Sequence, residues 1–296
     1  MQELLDNYFT LSDGSKLPRI GFGTYTEDFS DNTKAIGEAI ECGYRFFDTA
    51  SLYETERCLG EAVKNSGLKR EDFIIETKLW IDEMGYEGAK AAIEKSLKRL
   101  SMDYVDIYMI HWPRQTGKDD EDWKKLDIET WKAMEEMVDE GIVKRLGVSN
   151  FLPHHLQNLL DNCRIKPVVD QLELHPGYSQ ERALHYCMKN KVLPMAWSPL
   201  ARGRDNAQIA NEILSKLSKK YGRSVQQISL RFLIQRGILP IPKAVSKEHM
   251  MSNLEVFDFA LDGDDLSMLT NMPQCTWLGE HPDFHIPQAK SNPDNK

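Results

Sequence analysis

The chain has 296 residues, is 41% hydrophobic and 28% charged, and carries a formal net charge of −9. That composition excludes a disordered chain, and an acidic balance without a basic stripe excludes a surface that tracks nucleic-acid phosphates. The longest apolar runs, such as Val192 to Trp197, fall far short of the roughly 18 residues a membrane span needs.

Length allows one large α/β domain or two ordinary ones, since an α/β barrel typically uses about 250 residues. The start, Met1 to Asp6, is acidic and lacks the apolar core of a signal peptide. Cys42, Cys58, Cys163, Cys187 and Cys275 form an odd, scattered set with no CxxC pair. That pattern fits reduced cytoplasmic thiols and neither a disulfide framework nor a zinc site.

In chain order, Tyr8–Leu11 and Lys16–Pro18 flank Ser12-Asp13-Gly14-Ser15, a hairpin turn signal. Apolar β-type runs follow at Ile20–Phe22, Arg45–Asp48, Phe73–Lys78, Val105–Ile110, Lys144–Val148, Val168–Gln171, Val192–Trp197 and Ile238–Ile241. Between them lie faces of helical period. Ala35, Ile36, Ala39 and Ile40 form the first, with Asp31 as its N-cap and Gly43 as its stop. Ala92, Ile93, Leu97 and Leu100 form another, and Trp131, Met134, Met137 and Val138 a third. The segment from Leu184 to Met188 is too short to assign by period alone.

Strand then helix, repeated eight times, predicts a parallel sheet with crossover helices. Eight strands are the count that closes a (β/α)8 TIM barrel, here with an N-terminal β-hairpin plug. Nothing resembling a linker interrupts the chain before Met272, so one domain over residues 1–296 is expected. Beyond Met272 the composition turns to Pro, His and Gly, which reads as a loop over the barrel and a flexible tail from about Ala289.

Active sites of such barrels gather at the C-terminal ends of the strands. There stand Asp48 at the end of the second strand with Tyr53 just beyond it, Lys78 ending the third, and His111 following the fourth. A lone Asp or Tyr at a strand end is usually a cap or packing. Lys78 is different, because burying an unpaired ammonium costs several kcal/mol, and Asp48 on the adjacent strand can pair it. The quartet has a coherent mechanism. A cation beside Tyr53 lowers its pKa from near 10 and makes it a better general acid, while His111 can orient a carbonyl oxygen. An oxygen on which charge develops is what such a site protonates, as when hydride reaches a carbonyl carbon. No side chain donates hydride, so a nicotinamide or flavin is implied.

Asp48-Thr-Ala-x-x-Tyr53 with Glu56, strand-end Lys78, and Ile110-His111-Trp112-Pro113 resemble the catalytic motifs of the aldo-keto reductases. The resemblance runs over essentially the whole length. It implies NADPH as cofactor, with NADH also usable, and reduction of an aldehyde or ketone to the alcohol. Cofactor contacts implied by it are Gly23, Thr24, Ser149, Asn150, Gln171, Trp197, Ser198, Leu200, Arg202, Lys243, Ala244, Val245, Ser246, His249 and Asn253. Ser149, Asn150 and Gln171 would hold the nicotinamide carboxamide, Trp197 would stack on the ring, and Lys243 to Asn253 would bind the adenosine end. Tyr25, Trp80, Trp112 and Trp277 would wall the substrate pocket.

Departures from the family are informative. Glu54 and Thr55 replace the usual small residue and Asn. Trp197 stands where many animal members have Tyr, which resembles bacterial members that reduce diketo-gluconate. Arg202 to Asp205 is too short for the long cofactor belt of the animal enzymes, and Ala244 and His249 stand in place of the usual Ser and Arg.

Other signals are weaker. Gly21-Phe-Gly23-Thr-Tyr-Thr26 lacks the third glycine of a dinucleotide fingerprint and reads as the tight end of the first strand. His281 and His285 have metal spacing, but Pro282 breaks the helix that would align them, so no metal is assigned. His154 and His155 open a helix and are expected to be exposed. Two rival functions remain: a barrel aldolase using Lys78 or Lys243 as a Schiff base, and a non-catalytic nicotinamide-binding barrel acting as a sensor or partner subunit. A small-molecule carbonyl partner, no nucleic acid or membrane, and a monomer are expected.

Overall fold

The computed structural model describes residues 8–26, 31–113, 120–201, 208–274 and 281–283. Expectations for Arg202 to Asp205, for Trp277, for His285 and for the tail from Ala289 fall outside the described residues.

A two-stranded antiparallel hairpin comes first, β1 (Tyr8–Thr10) and β2 (Lys16–Pro18), with Phe9 opposite Leu17. Eight parallel strands follow: β3 (Phe22–Gly23), β4 (Phe46–Asp48), β5 (Ile74–Leu79), β6 (Val105–Ile110), β7 (Val143–Ser149), β8 (Val169–Glu173), β9 (Leu193–Trp197) and β10 (Leu239–Pro240). They lie side by side in chain order from β3 to β10. Two backbone bonds close the ring. Gly21 N–H donates to the Pro240 carbonyl at 3.0 Å and Gly23 N–H to the Pro242 carbonyl at 3.1 Å. The expected barrel is thus present, each strand within about two residues of its predicted span.

The helices are α1 (Thr33–Cys42), α2 (Glu56–Asn65), α3 (Tyr86–Leu100), α4 (Asp120–Asp139), α5 (Pro153–Asn162), α6 (Glu181–Lys189), α7 (Gln208–Tyr221), α8 (Val225–Gln235), α9 (Lys247–Leu254) and α10 (Gly263–Thr270). The periodic faces are the ones that bury. Ile36, Ala39 and Ile40 of α1, Ala92, Ile93 and Leu100 of α3, and Trp131, Met134 and Met137 of α4 all pack in one layer against the sheet. Gly43 ends α1 in the left-handed region at φ 107°, where its N–H reaches the Ile40 carbonyl and that of Tyr44 the Ala39 carbonyl. The other end differs from expectation. The helix starts at Thr33, so Asn32 holds the cap position, and Asp31 instead accepts the Thr33 N–H from one residue further out at 2.8 Å.

A second core fills the barrel. Phe46, Ile107, Met109, Val169, Met195, Leu239 and Ile241 meet in the lumen, and Leu11 and Leu17 of the hairpin join them. The hairpin is therefore a plug, and Arg145 at the base of β7 ties it down through Asp13 at 2.7 Å. With one end stopped by apolar side chains, polar strand positions collect at the other. Among the described residues no helix is long and apolar enough to cross a membrane.

Candidate active site

Asp48 closes β4, and the next turn, a 3-10 helix over Ser51–Tyr53, carries Tyr53 over the rim. Lys78 lies in β5, and His111 follows β6, its N–H held by the Leu79 carbonyl at 3.1 Å. These four predicted residues come together. The Lys78 ammonium forms a buried ion pair with Asp48 Oδ1, donates to the Thr49 carbonyl at 3.1 Å, and lies 3.5 Å from the Tyr53 hydroxyl. His111 Nε2 lies 3.4 Å from the same hydroxyl. Tyr53 thus has an ammonium on one side and an imidazole on the other.

The electrostatics correct one expectation. Burial pushes the Tyr53 hydroxyl up to about 12, and Lys78, which pulls it down, offsets only part of that shift. The cation moderates the loss of acidity instead of producing a net gain. Burial works against the Lys78 charge, but the Asp48 carboxylate beside it outweighs that and its pKa is raised. Burial, helped by Lys78, holds His111 well below the ordinary histidine range, so its ring is neutral.

The departures in the turn are accommodated. Glu54 takes a left-handed conformation at φ 58°. Thr55 is buried and its hydroxyl bridges those of Thr24 at 2.8 Å and Thr49 at 2.9 Å. Glu56 points to the outside of the barrel, accepting from Thr77 at 2.5 Å and Arg99 at 2.6 Å, so it ties α2 to β5 and α3 and does not enter the site.

The positions implied for the cofactor lie along the same rim. Ser149 donates to the Gln171 carbonyl at 2.9 Å, and the Asn150 amide donates to the His111 carbonyl at 3.0 Å. The Trp197 indole N–H donates to Asn150 Oδ1 at 2.9 Å and leaves the half-buried ring over the rim. Thr24 is fully buried, and its hydroxyl donates to the Asp48 carbonyl at 2.9 Å. Leu200 and Ser198 are half-buried. Lys243, Val245 and His249 are exposed, Ala244 is buried, and Ser246 caps α9 by accepting the His249 N–H at 3.3 Å. Asn253 is buried beside the Tyr44 hydroxyl.

The aldo/keto reductase family model matches residues 19–272. The chain belongs to the aldo/keto reductase family. It is 38% identical to a glyoxal reductase of Bacillus subtilis, covering 96% of this chain and 99% of that one. It is 38% identical to the methylglyoxal reductase DkgA of Escherichia coli, over 92% and 96% of the two chains. A Bombyx mori aldo-keto reductase solved with NADP superposes with a TM-score of 0.83 at 33% identity, covering 90% of this chain and 92% of that one. This reductase is an oxidoreductase that uses NADPH for carbonyl reduction.

Residues of this reductase fit that cofactor on their own terms. The Gln171 side-chain nitrogen is committed inward, and the side-chain oxygen Oε1 has no partner among the described residues. A Cβ at Gly23 would stand 3.3 Å from the Ile241 Cγ2 methyl, a tight contact to which the Ile241 side chain would have to yield. Lys243 and His249, the basic positions implied for the adenosine end, are both exposed.

Of the pocket walls, Tyr25 stands edge-on to Tyr53 at 5.0 Å between ring centroids and Trp80 edge-on to His111 at 5.1 Å. Trp112, like Trp80, is buried and belongs to the same apolar cluster. His154 is exposed, but His155 is buried, contrary to expectation, with Trp123 packed edge-on at 4.8 Å. Its Nδ1 accepts the Leu152 N–H at 3.2 Å, which leaves Nε2 as the protonated nitrogen facing Asp283. A protonated nitrogen has no lone pair for a metal, so the group is held by the His154–Asp283 hydrogen bond at 3.0 Å, with His155 Nε2 3.4 Å from the same oxygen.

Sequence reasoning missed one residue of the site, Glu76. The signal was available: Glu76 and Lys78 are two apart in one strand and so share the lumen face.

Proposed function

We propose that the enzyme reduces small aldehydes and ketones, with 2-oxoaldehydes of the glyoxal and methylglyoxal type as its substrate class. The observation that carries this reading is the Tyr53 hydroxyl held within 3.5 Å of the Lys78 ammonium and 3.4 Å of His111 Nε2. Bound nicotinamide supplies the hydride to the carbonyl carbon. Neutral His111 donates Nε2–H to the carbonyl oxygen and sets its direction. As negative charge grows on that oxygen, Tyr53 transfers its hydroxyl proton to it, giving the alcohol. The resulting phenolate is stabilised by Lys78, whose charge is held in place by Asp48. Tyr25 and Trp80 give the pocket an apolar wall that keeps water from the reacting oxygen.

Ser149, Asn150 and Gln171 hold the nicotinamide carboxamide in this reading, Trp197 stacks on the ring, and Lys243 with His249 faces the 2′-phosphate. The substrate class rests on the glyoxal and methylglyoxal reductases among the relatives. We take the enzyme to work as a cytoplasmic monomer, one barrel domain over residues 1–296 without a nucleic-acid partner. Its acidic surface supports this, and large exposed side chains such as Tyr8, Leu68 and Met188 occur singly along the chain. The test is NADPH consumption over a carbonyl panel of 2-oxoaldehydes, diketo acids, sugars, aromatic aldehydes and steroids. Fastest turnover of the 2-oxoaldehydes is expected. Tight cofactor binding with no turnover of any carbonyl would refute the catalytic reading.

A further inference from the structure

Glu76 is a carboxyl sealed inside the barrel that the mechanism above does not use. Along β5 its neighbour Thr77 points outward to Glu56, while Glu76 and Lys78 point into the lumen. Glu76 is fully buried. Its Oε1 accepts from the Gln171 amide nitrogen at 2.9 Å, and the same nitrogen donates to Asp48 Oδ1 at 2.9 Å. Lys78 Nζ lies 3.7 Å from Glu76 Oε1. Oε2 has no donor among the described residues.

Charge counting decides what this carboxyl is. Two carboxyls, Asp48 and Glu76, share one ammonium, and Lys78 is the one cation the described residues place against them. β4 contributes Asp48 and β8 the uncharged Gln171. β6 contributes the apolar Ile107 and Met109. Tyr53 and His111 reach the cluster through Lys78 and carry no charge of their own at neutral pH. A second anion without a counter-ion in that space is strongly disfavoured. A proton on Glu76 removes the problem: the two carboxyls meet at the Gln171 amide nitrogen, 2.9 Å from Asp48 Oδ1 and 2.9 Å from Glu76 Oε1, so one of them is best held neutral. Burial first, and then the Asp48 charge, holds the Glu76 carboxyl well above the usual carboxylate range.

The same cluster fixes Gln171. Both oxygens facing its amide are carboxyl acceptors, so the nitrogen must point to them and the carbonyl must point away. We propose that Glu76 is a positioning residue: as a neutral acid it locks the Gln171 amide so that Oε1 accepts from the nicotinamide carboxamide, and it leaves the Lys78 charge to Asp48 and Tyr53. This rests on the reading of Gln171 as a carboxamide contact.

The test uses the full-length enzyme with two variants at Glu76 and one at Gln171. E76L removes the acceptor and should weaken NADPH binding, measured by protein fluorescence, by roughly tenfold, the loss of about one hydrogen bond. E76Q mimics the neutral acid and still accepts from Gln171. It should restore NADPH affinity to within about twofold, and leave the kinetic pKa of alcohol oxidation unshifted. E76L and Q171A should be strongly non-additive, since each removes the same contact. A fall of about one unit or more in that pKa for E76Q would show that wild-type Glu76 carries a charge, and would overturn the proposal. So would NADPH binding by E76L equal to wild type, or additive losses in the double variant. If E76L does not fold, E76V replaces it in the affinity test, and E76Q carries the charge test alone. Should Q171A itself bind NADPH like wild type, the carboxamide reading fails. Weak binding by Q171A with normal binding by E76L sinks only the role of Glu76.

Discussion

Tyr53 and Lys78 meet twice: the ammonium lies 3.5 Å from the hydroxyl and 4.9 Å from the centroid of the same ring. The lysine therefore touches both the atom that gives up the proton and the π-system that receives the charge. At neutral pH the proton stays on the oxygen, because burial pushes the hydroxyl up to about 12. Its release waits for a stronger base, and the oxygen of a carbonyl receiving hydride becomes one.

Tyr53→Phe should abolish carbonyl reduction while leaving NADPH affinity nearly unchanged. The hydroxyl acts only as charge develops on the substrate, so its loss falls on kcat. General-acid assistance is worth about 100-fold to 10,000-fold. Single-turnover rates with the cofactor prebound measure that step, and a variant keeping half the wild-type rate would remove Tyr53 from the mechanism.

Lys78→Met takes away the one group that pulls the Tyr53 pKa down. In alcohol oxidation, where the phenolate is the base, the limb on which the rate rises with pH should therefore move to higher pH than in wild type. The variant should also be less stable by about 3–5 kcal/mol, since Asp48 keeps its charge in a buried site without a partner. Full activity with an unmoved pH profile would contradict the role given to Lys78.

His249→Arg tests the adenosine end. His249 is exposed in the first turn of α9, close in sequence to the exposed Lys243. A guanidinium grips a phosphate bidentately, which an imidazole cannot do. The substitution should tighten NADPH roughly tenfold to a hundredfold, as one charge-assisted hydrogen bond is worth about 1.5–3 kcal/mol, and leave NADH unmoved. Dissociation constants for both cofactors decide it. Equal gains for the two would mean the residue does not face the 2′-phosphate.

Asp127 gives a stability prediction away from the site. It is fully buried in α4, neither oxygen has a partner among the described residues, and burial holds it well above the usual carboxylate range. A carboxyl whose folded pKa is raised binds its proton more tightly in the folded state. Its stabilising contribution is full below the unfolded pKa and is lost as pH rises toward the folded one. Asp127→Asn removes that linkage. Thermal melts between about pH 5 and 8 should show a Tm that falls less steeply in the variant than in wild type. Parallel curves would show that Asp127 ionises freely.

What could be read from the sequence follows from the range of the forces involved. Strand and helix periods are local, so the eight β/α units and the faces of α1, α3 and α4 were legible. The need of Lys78 for Asp48 was legible too, because a charge at the end of an apolar strand demands a partner. Net effects were not. The cation beside Tyr53 was visible in the sequence, but the burial that outweighs it depends on Tyr25 and His111, brought in from other strands. His155 reads as a surface residue until Trp123 and Phe151 close over it. The strand period puts Glu76 on the lumen face with Lys78, but what it does there depends on Gln171, which arrives from β8.

The joint between β3 and β10 has a further consequence. Each of these strands is two residues long, and the bonds that close the ring run one way, from Gly21 and Gly23 to the carbonyls of Pro240 and Pro242. Proline has no N–H to return, so the joint has half the fastenings of an ordinary parallel pair. A cask opens at its weakest stave. In native-state hydrogen–deuterium exchange the amides of Gly21 and Gly23 should be the first of the barrel to take up deuterium, well ahead of those in β5 and β6.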